Sequence, residues 1–188
     1  MKILGEALYV DSAGIRHEVE GIGNISDNVS LRSLKVEGTL SFEKISCDTI
    51  EVEGSSDGDS LTAQNFSAEG TVEVDSLNVA QIFKLEGLPK ISNIAAAEVS
   101  IESQSGSIGN VKCKRIKIFH DEYSSKVRRS RIRVKSIEAD TVELENCAVD
   151  VVKCQNALIG TNCAIAKLFV AGTCEVTDDS TVEEVVRT

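Results

Sequence analysis

The chain has 188 residues, 41% of them hydrophobic, which suffices for one core and excludes a disordered segment. Its 20 Lys and Arg face 30 Asp and Glu, a formal charge of -10 that excludes a protein whose whole surface holds nucleic acid. One Pro, one Met, five Phe and no Trp leave a core of Val, Ile, Leu, Ala and Cys, which suits a narrow, repetitive interior.

In chain order, residues 1–15 fit none of the pattern that follows and are expected to form a cap or a short pairing segment. Val-Glu-Gly then occurs at 19–21, 36–38 and 52–54, and returns as Ala-Glu-Gly at 68–70 and Leu-Glu-Gly at 85–87. The five glycines, Gly21, Gly38, Gly54, Gly70 and Gly87, are 16 or 17 residues apart. A longer signature runs with them: ISCDTIEVEG at 45–54, LTAQNFSAEG at 61–70, IAAAEVSIES at 94–103 and VKCKRIKIFH at 111–120. After an interruption come IEADTVELEN at 137–146 and VKCQNALIGT at 152–161. The glycine slot passes to Ser103, His120, Asn146 and Thr161. Cys47, Ala63, Ala96, Cys113, Ala139 and Cys154 share one position, expected to be an inward ladder. The last segments, AIAKLFVAG at 164–172 and VTDDSTVEEVV at 176–186, read as short closing coils.

Within each unit the apolar period is two, as in Ile50-Val52 and Val142-Leu144, over runs of three to five residues. A helix would place apolar residues at three and four and would tolerate fewer Val, Thr and Ser. Short strands turning at Gly, Asn and Ser, repeated at one length, describe an all-β, single-stranded parallel β-helix of about ten coils. The chain is read as one domain, 1–188.

Between His120 and Asn146 the period is exceeded by about ten residues, and the excess, 120–131, is read as an inserted basic loop. Charge gathers there: Lys112, Lys114, Arg115, Lys117, Lys126, Arg128, Arg129, Arg131, Arg133 and Lys135 face Asp121 and Glu122 alone over 111–135. These cations form a candidate docking patch for an acidic protein or an anionic membrane surface. Nucleic acid is not expected, since aromatic stacking platforms are missing.

Chemistry is sparse. His17 and His120 are the sole histidines and stand several coils apart, so no Ser-His-Asp set assembles. The cysteines form no CxxC, and Cys147 and Cys163, 16 residues apart, read as a second packing ladder. No catalytic residue, cofactor or metal is expected. The acidic opening MKILGEALYVDS is no secretory signal and no run is long enough for a membrane span, so cytoplasmic residence with reduced thiols is expected.

The stacked VEG and AEG units, VKCKRIKIF at 111–119, SRIRVKSIEADTVELEN at 130–146 and STVEEVV at 180–186 together resemble the bactofilins, more narrowly the polymer-forming bactofilin-like proteins of spore-forming Gram-positive bacteria. The resemblance implies a right-handed β-helix that joins end to end into filaments without nucleotide, as a cytoskeletal scaffold near the inner face of the membrane, serving cell shape, flagellar assembly or motility. It places polymer contacts in the end coils, at Leu4, Leu34, Val36, Leu168, Val170, Val176, Val182 and Val185, with a second copy or a paralogous subunit as partner. The Pro-rich tails of that family have no counterpart here, so membrane attachment by a tail is not expected. The alternative is a monomeric or hetero-oligomeric binding module that docks through its basic loop.

Overall fold

A computed structural model describes residues 3–4, 7–10, 16–120 and 131–188. They form a right-handed parallel β-solenoid of about nine turns. The strands are β1 (Ile3–Leu4), β2 (Ala7–Val10), β3 (Arg16–Glu102), β4 (Gly106–Lys112), β5 (Arg115–Phe119), β6 (Ile132–Leu144), β7 (Cys147–Ile159), β8 (Ala164–Val170), β9 (Cys174–Val176) and β10 (Thr181–Arg187). β3 is a single extended run of 87 residues that bends through several turns without losing its pairing. Division of the chain by its period gives about ten turns; the stack has fewer because its start does not coil. β1 and β2 run antiparallel to the first turn, with Ile3 beside Ile25 and Leu8 beside Val19.

Four inward columns fill the bore, and their register follows the sequence period. Ile91 lies beside Ile108, then Val134, Val149, Ile165 and Val182. Ile94 is followed by Val111, Ile137, Val152, Leu168 and Val185. Val99, Ile116, Val142, Ala157 and Cys174 form the third column; Ile101, Ile118, Leu144, Ile159 and Val176 form the fourth. Each buried aliphatic side chain contributes roughly 1.5–3 kcal/mol relative to exposure. The step from Ile108 to Val134 shows where the extra residues went: the chain leaves after Phe119 and re-enters in register at Ile132. The central part of the inserted loop, 121–130, with Lys126, Arg128 and Arg129, lies outside the described residues.

Because each turn sits on the last, side-chain size is constrained along the rod as well as across it. A Cβ on Gly58 would run into the ring of Phe42 one turn below, so this glycine makes room for that phenylalanine. Phe66 and Phe83 stack in adjacent turns with centroids 5.3 Å apart and planes 16° from parallel. The Val-Glu-Gly glycines have a backbone cause. Gly54 has φ +129° and a Cβ there would collide with the carbonyl oxygen of Gly38, the same corner one turn earlier.

Two positions differ from the sequence expectation. Left-handed backbone in the later turns falls at Asn146 (φ 52°) and Asn162 (φ 55°), so the last occupant of that corner is Asn162 and not Thr161. The shift arises because β6 and β7 are 15 residues out of step whereas β7 and β8 are 16. The Cys/Ala ladder is inward but only partly enclosed. Cys47, Ala63 and Ala139 are buried, while Ala96, Cys113 and Cys154 are half-buried against the core.

Two buried polar groups lack a hydrogen-bond partner among the described residues, His17 Nδ1 and the Ser56 hydroxyl. Ser56 is 2% exposed. An unpaired buried hydroxyl costs about 1–3 kcal/mol, so Ser56→Ala is expected to raise unfolding stability by about 1 kcal/mol, read from a urea titration. Gly54→Ala in the same assay is expected to lose more than about 2 kcal/mol, from its collision and its left-handed φ. Equal stability of the two variants would contradict this account of the corner.

Candidate functional site

The two ends of the solenoid are unlike. At the start, Val19 and Ile25 are both 0% exposed, beneath the antiparallel β1 and β2. At the other end β10 pairs with β8 and β9 with β7, and among the described residues neither has a partner on its outer edge. The core columns therefore terminate in the open. Val176 is 41% exposed, Val185 is 48% exposed and Val182 is half-buried, whereas Ile159, Leu168 and Ile165 directly beneath them are buried. An uncovered strand edge beside uncovered core valines is a surface that can add another strand.

Of the residues expected to make polymer contacts, Val176, Val182 and Val185 lie together at this end. Leu34, Val36, Leu168 and Val170 are fully buried inside the stack, one or more turns from the open surface. Leu4 belongs to β1, paired beside Asn24. The charges of the last turn are mostly acidic: Glu175, Asp178, Asp179, Glu183 and Glu184 stand against Arg187. Arg187 is tied by its guanidinium to the carbonyl of Gly172 at 2.7 Å, and Glu184 pairs with Lys167 at 3.0 Å.

The described members of the basic patch wrap around a corner rather than sharing one strand. Lys112 ends β4, Arg115 and Lys117 are on β5 beyond the bend at Cys113 and Lys114, and Arg133 and Lys135 are on β6 one turn further. The next turn supplies acids to some of them: Lys112 bridges to Glu138 at 3.1 Å and Lys117 to Glu143 at 3.4 Å. Arg131 donates to Oδ1 of Asn162 through Nε at 3.1 Å and Nη2 at 2.6 Å, a tie across two turns that the sequence did not reveal.

Like-charge stacking occurs elsewhere. The glutamates of the Val-Glu-Gly corner stack turn upon turn, with Lys35 paired to Glu37 and Lys84 to Glu86 at 2.6 Å. Those ion pairs raise the pKa of both lysines, chiefly by hydrogen bonding to the carboxylate. A shallow hollow of about 770 Å³ is lined by Asp75, Lys90, Ser92, Asn93, Asn110 and Lys135. Its polar groups largely bond to one another between turns: Ser92 to Asp75 at 3.1 Å, Asn110 to Asn93 at 2.9 Å, Ser136 to Asn110 at 2.8 Å, and Lys90 to Glu73 at 2.9 Å. They are rungs of a ladder that supports the stack.

His17 lies at the start of β3 and is buried; His120 follows β5 and is half-buried near Gln104 and Ser105, about six periods later in the chain. Among the described residues no group of three or more His, Cys, Asp and Glu could hold a metal ion. No described helix is long and apolar enough to cross a membrane. Burial pushes the Cys113 thiol up to about 12 and Cys154 up to about 11, with Asp140 and Cys174 adding to the respective shifts. Burial also raises Cys47.

These features define a class: a β-solenoid rod, compatible with a non-catalytic structural role and consistent with the bactofilin-like fold. No protein-family model, curated protein or solved structure matches the chain.

A thiol held near 12 is almost entirely protonated at pH 8. Cys113 in the folded protein is therefore expected to react with Ellman's reagent at least about 100-fold more slowly than free cysteine at that pH. Peptide mapping after timed alkylation would check this, and rapid labelling of Cys113 before unfolding would contradict it.

Proposed function

We propose that this chain is a non-catalytic, self-associating structural rod of the bactofilin-like kind, joining copies of itself end to end without nucleotide. The observation that carries the reading is the open C-terminal turn, where Val176, Val182 and Val185 end three core columns beside the unpaired edges of β9 and β10. Covering them with another turn of the same kind would remove apolar surface from water and extend the backbone ladder at once. The antiparallel start of the stack supports the C-terminal end as the joining surface, since the first core valine and isoleucine are already covered. The resemblance of the repeat to bactofilins supports a cytoskeletal scaffold, acting in the cytoplasm or at the inner face of the membrane. The basic patch wraps a corner and is partly neutralised by Glu138 and Glu143, which favours assembly over the docking of an acidic partner.

Val185→Asp introduces a charge at the centre of the proposed contact while leaving the buried columns below untouched. It is expected to reduce assembled particles to single rods, seen by negative-stain electron microscopy and light scattering, with unchanged circular dichroism. Single rods of the unaltered chain at every concentration would contradict the proposal. Salt discriminates between contacts. Two acidic C-terminal turns meeting would associate more strongly as salt screens their repulsion, whereas an acidic end held by the basic patch would be released.

A further inference from the structure

We infer that Cys147 and Cys163 form a redox modification site, closing to a disulfide on reaction with a small peroxide, with Cys163 as the attacking sulfur. Both side chains are buried, at 0% and 2% exposure, and their sulfurs lie 3.7 Å apart. The adjacent register, Ala148 beside Ala164, puts the two cysteines at one position of successive turns. Strands in such a pair lie about 4.8 Å apart, within the Cα separation of about 4.4–6.8 Å that a disulfide spans. Among the described residues no other pair of cysteine sulfurs is in direct contact, although Cys174 is near enough to Cys154 to raise its pKa. Cys154 stacks between Ala139 and Val170, Cys174 lies beside Ala157, and Cys113 adjoins Ala139 and Ala96 in the same ladder.

The surroundings treat the two sulfurs differently. The backbone N–H of Cys163 donates to Ser180 Oγ at 2.8 Å, while Ser180 donates to the carbonyl of Gly160. The Arg131 guanidinium, fixed on Asn162 immediately before Cys163, brings positive charge to the same corner. The hydrogen bond between the two sulfurs, in which either can donate, holds the Cys163 thiol below its ordinary range when Cys147 is the donor, with Arg131 contributing. The same bond together with burial drives Cys147 well up. As a thiol, Cys163 can donate to the Leu144 carbonyl at 3.3 Å. One turn of chain covers Cys163: Ser180 and Thr181 lie over it, the Thr181 N–H bonded to the Cys163 carbonyl at 2.9 Å. That turn ends the rod, where local opening is cheapest, and a peroxide is small enough to use it.

The chemistry is balanced by the two thiols and one peroxide. Cys163 loses its proton and its thiolate attacks a peroxide oxygen; the O–O bond breaks, a sulfenic acid forms, and the departing hydroxide takes up the proton to become water. The Cys147 sulfur then attacks the Cys163 sulfur, the S–O bond breaks, and the thiol proton leaves with the oxygen as a second water. Two thiols lose two electrons and the peroxide is reduced to two waters. The disulfide joins the turn of β7 to that of β8, directly beneath the open end.

The test is peroxide treatment of the full folded chain, without denaturant, followed by non-reducing peptide mapping. The expected product is a Cys147–Cys163 cross-linked peptide, two hydrogens lighter than its parts, in preference to any other cysteine pair. Cys147→Ser is expected to lose the cross-link and leave a Cys163 sulfenic acid that dimedone traps. Cys163→Ser is expected to lose both the cross-link and dimedone capture at position 147. A cross-link that appears only once the chain is unfolded, one between other cysteines, or dimedone capture at Cys147 in the Cys163→Ser chain would overturn the assignment.

Discussion

Every turn of this molecule is the template for the next, through backbone hydrogen bonding between successive turns at one fixed spacing. The bond ladder holds equivalent residues directly above one another, so a side chain is judged mainly by the residue one period earlier. Ile91, Ile108, Val134, Val149, Ile165 and Val182 succeed one another for that reason. The same constraint sets the corner glycines, where the carbonyl of one turn occupies the space a Cβ of the next would need. It also explains the composition: a bore this narrow takes Val, Ile and Leu repeatedly, and admits Phe42 where the position above is glycine. A long insertion is compatible with such a stack because pairing is lost only where the chain leaves it, between Phe119 and Ile132.

A ladder of identical steps has no intrinsic end, and its termini are where sequence and structure part company. The first turn is finished by a change of direction: β1 and β2 return antiparallel, and Val19 and Ile25 are sealed. The last turn carries on the columns with Val176, Val182 and Val185 and leaves them against solvent. Its acidic rim does not forbid association with a like end, because the chain already stacks glutamates turn on turn along its Val-Glu-Gly corner. The functional reading follows from this asymmetry rather than from any cleft or catalytic set.

Much of the fold was legible because the period is written in single residues. Gly21, Gly38, Gly54, Gly70 and Gly87 marked a corner, and the alternation in runs such as Ile50-Val52 marked the inward faces. What escaped was whatever depends on a change of one residue in the period. Asn162 rather than Thr161 takes the left-handed corner, since the step shortens by one between β6 and β7 and lengthens again after it. The half-buried placement of Cys113 and Cys154 escaped because a small residue serves equally at a fully and at a partly enclosed inward position. At the candidate site, Val176, Val182 and Val185 were readable as the last members of the pattern. Leu168 and Val170 belong to the preceding turn, and sequence spacing alone could not tell a covered turn from an uncovered one. The Arg131–Asn162 tie spans two turns, and the period, which gives backbone register from one turn to the next, does not say which side chains bond across two.

The central claim is that the C-terminal turn is an unfinished step of the ladder that a second copy completes. Hydrogen exchange of the backbone amides, measured by mass spectrometry across a wide range of protein concentration, addresses it directly. The account predicts that amides of Thr181–Arg187 gain protection as concentration rises, while those around Val19–Val29 do not change. Protection of Thr181–Arg187 that is independent of concentration, in samples that remain single rods, would contradict it.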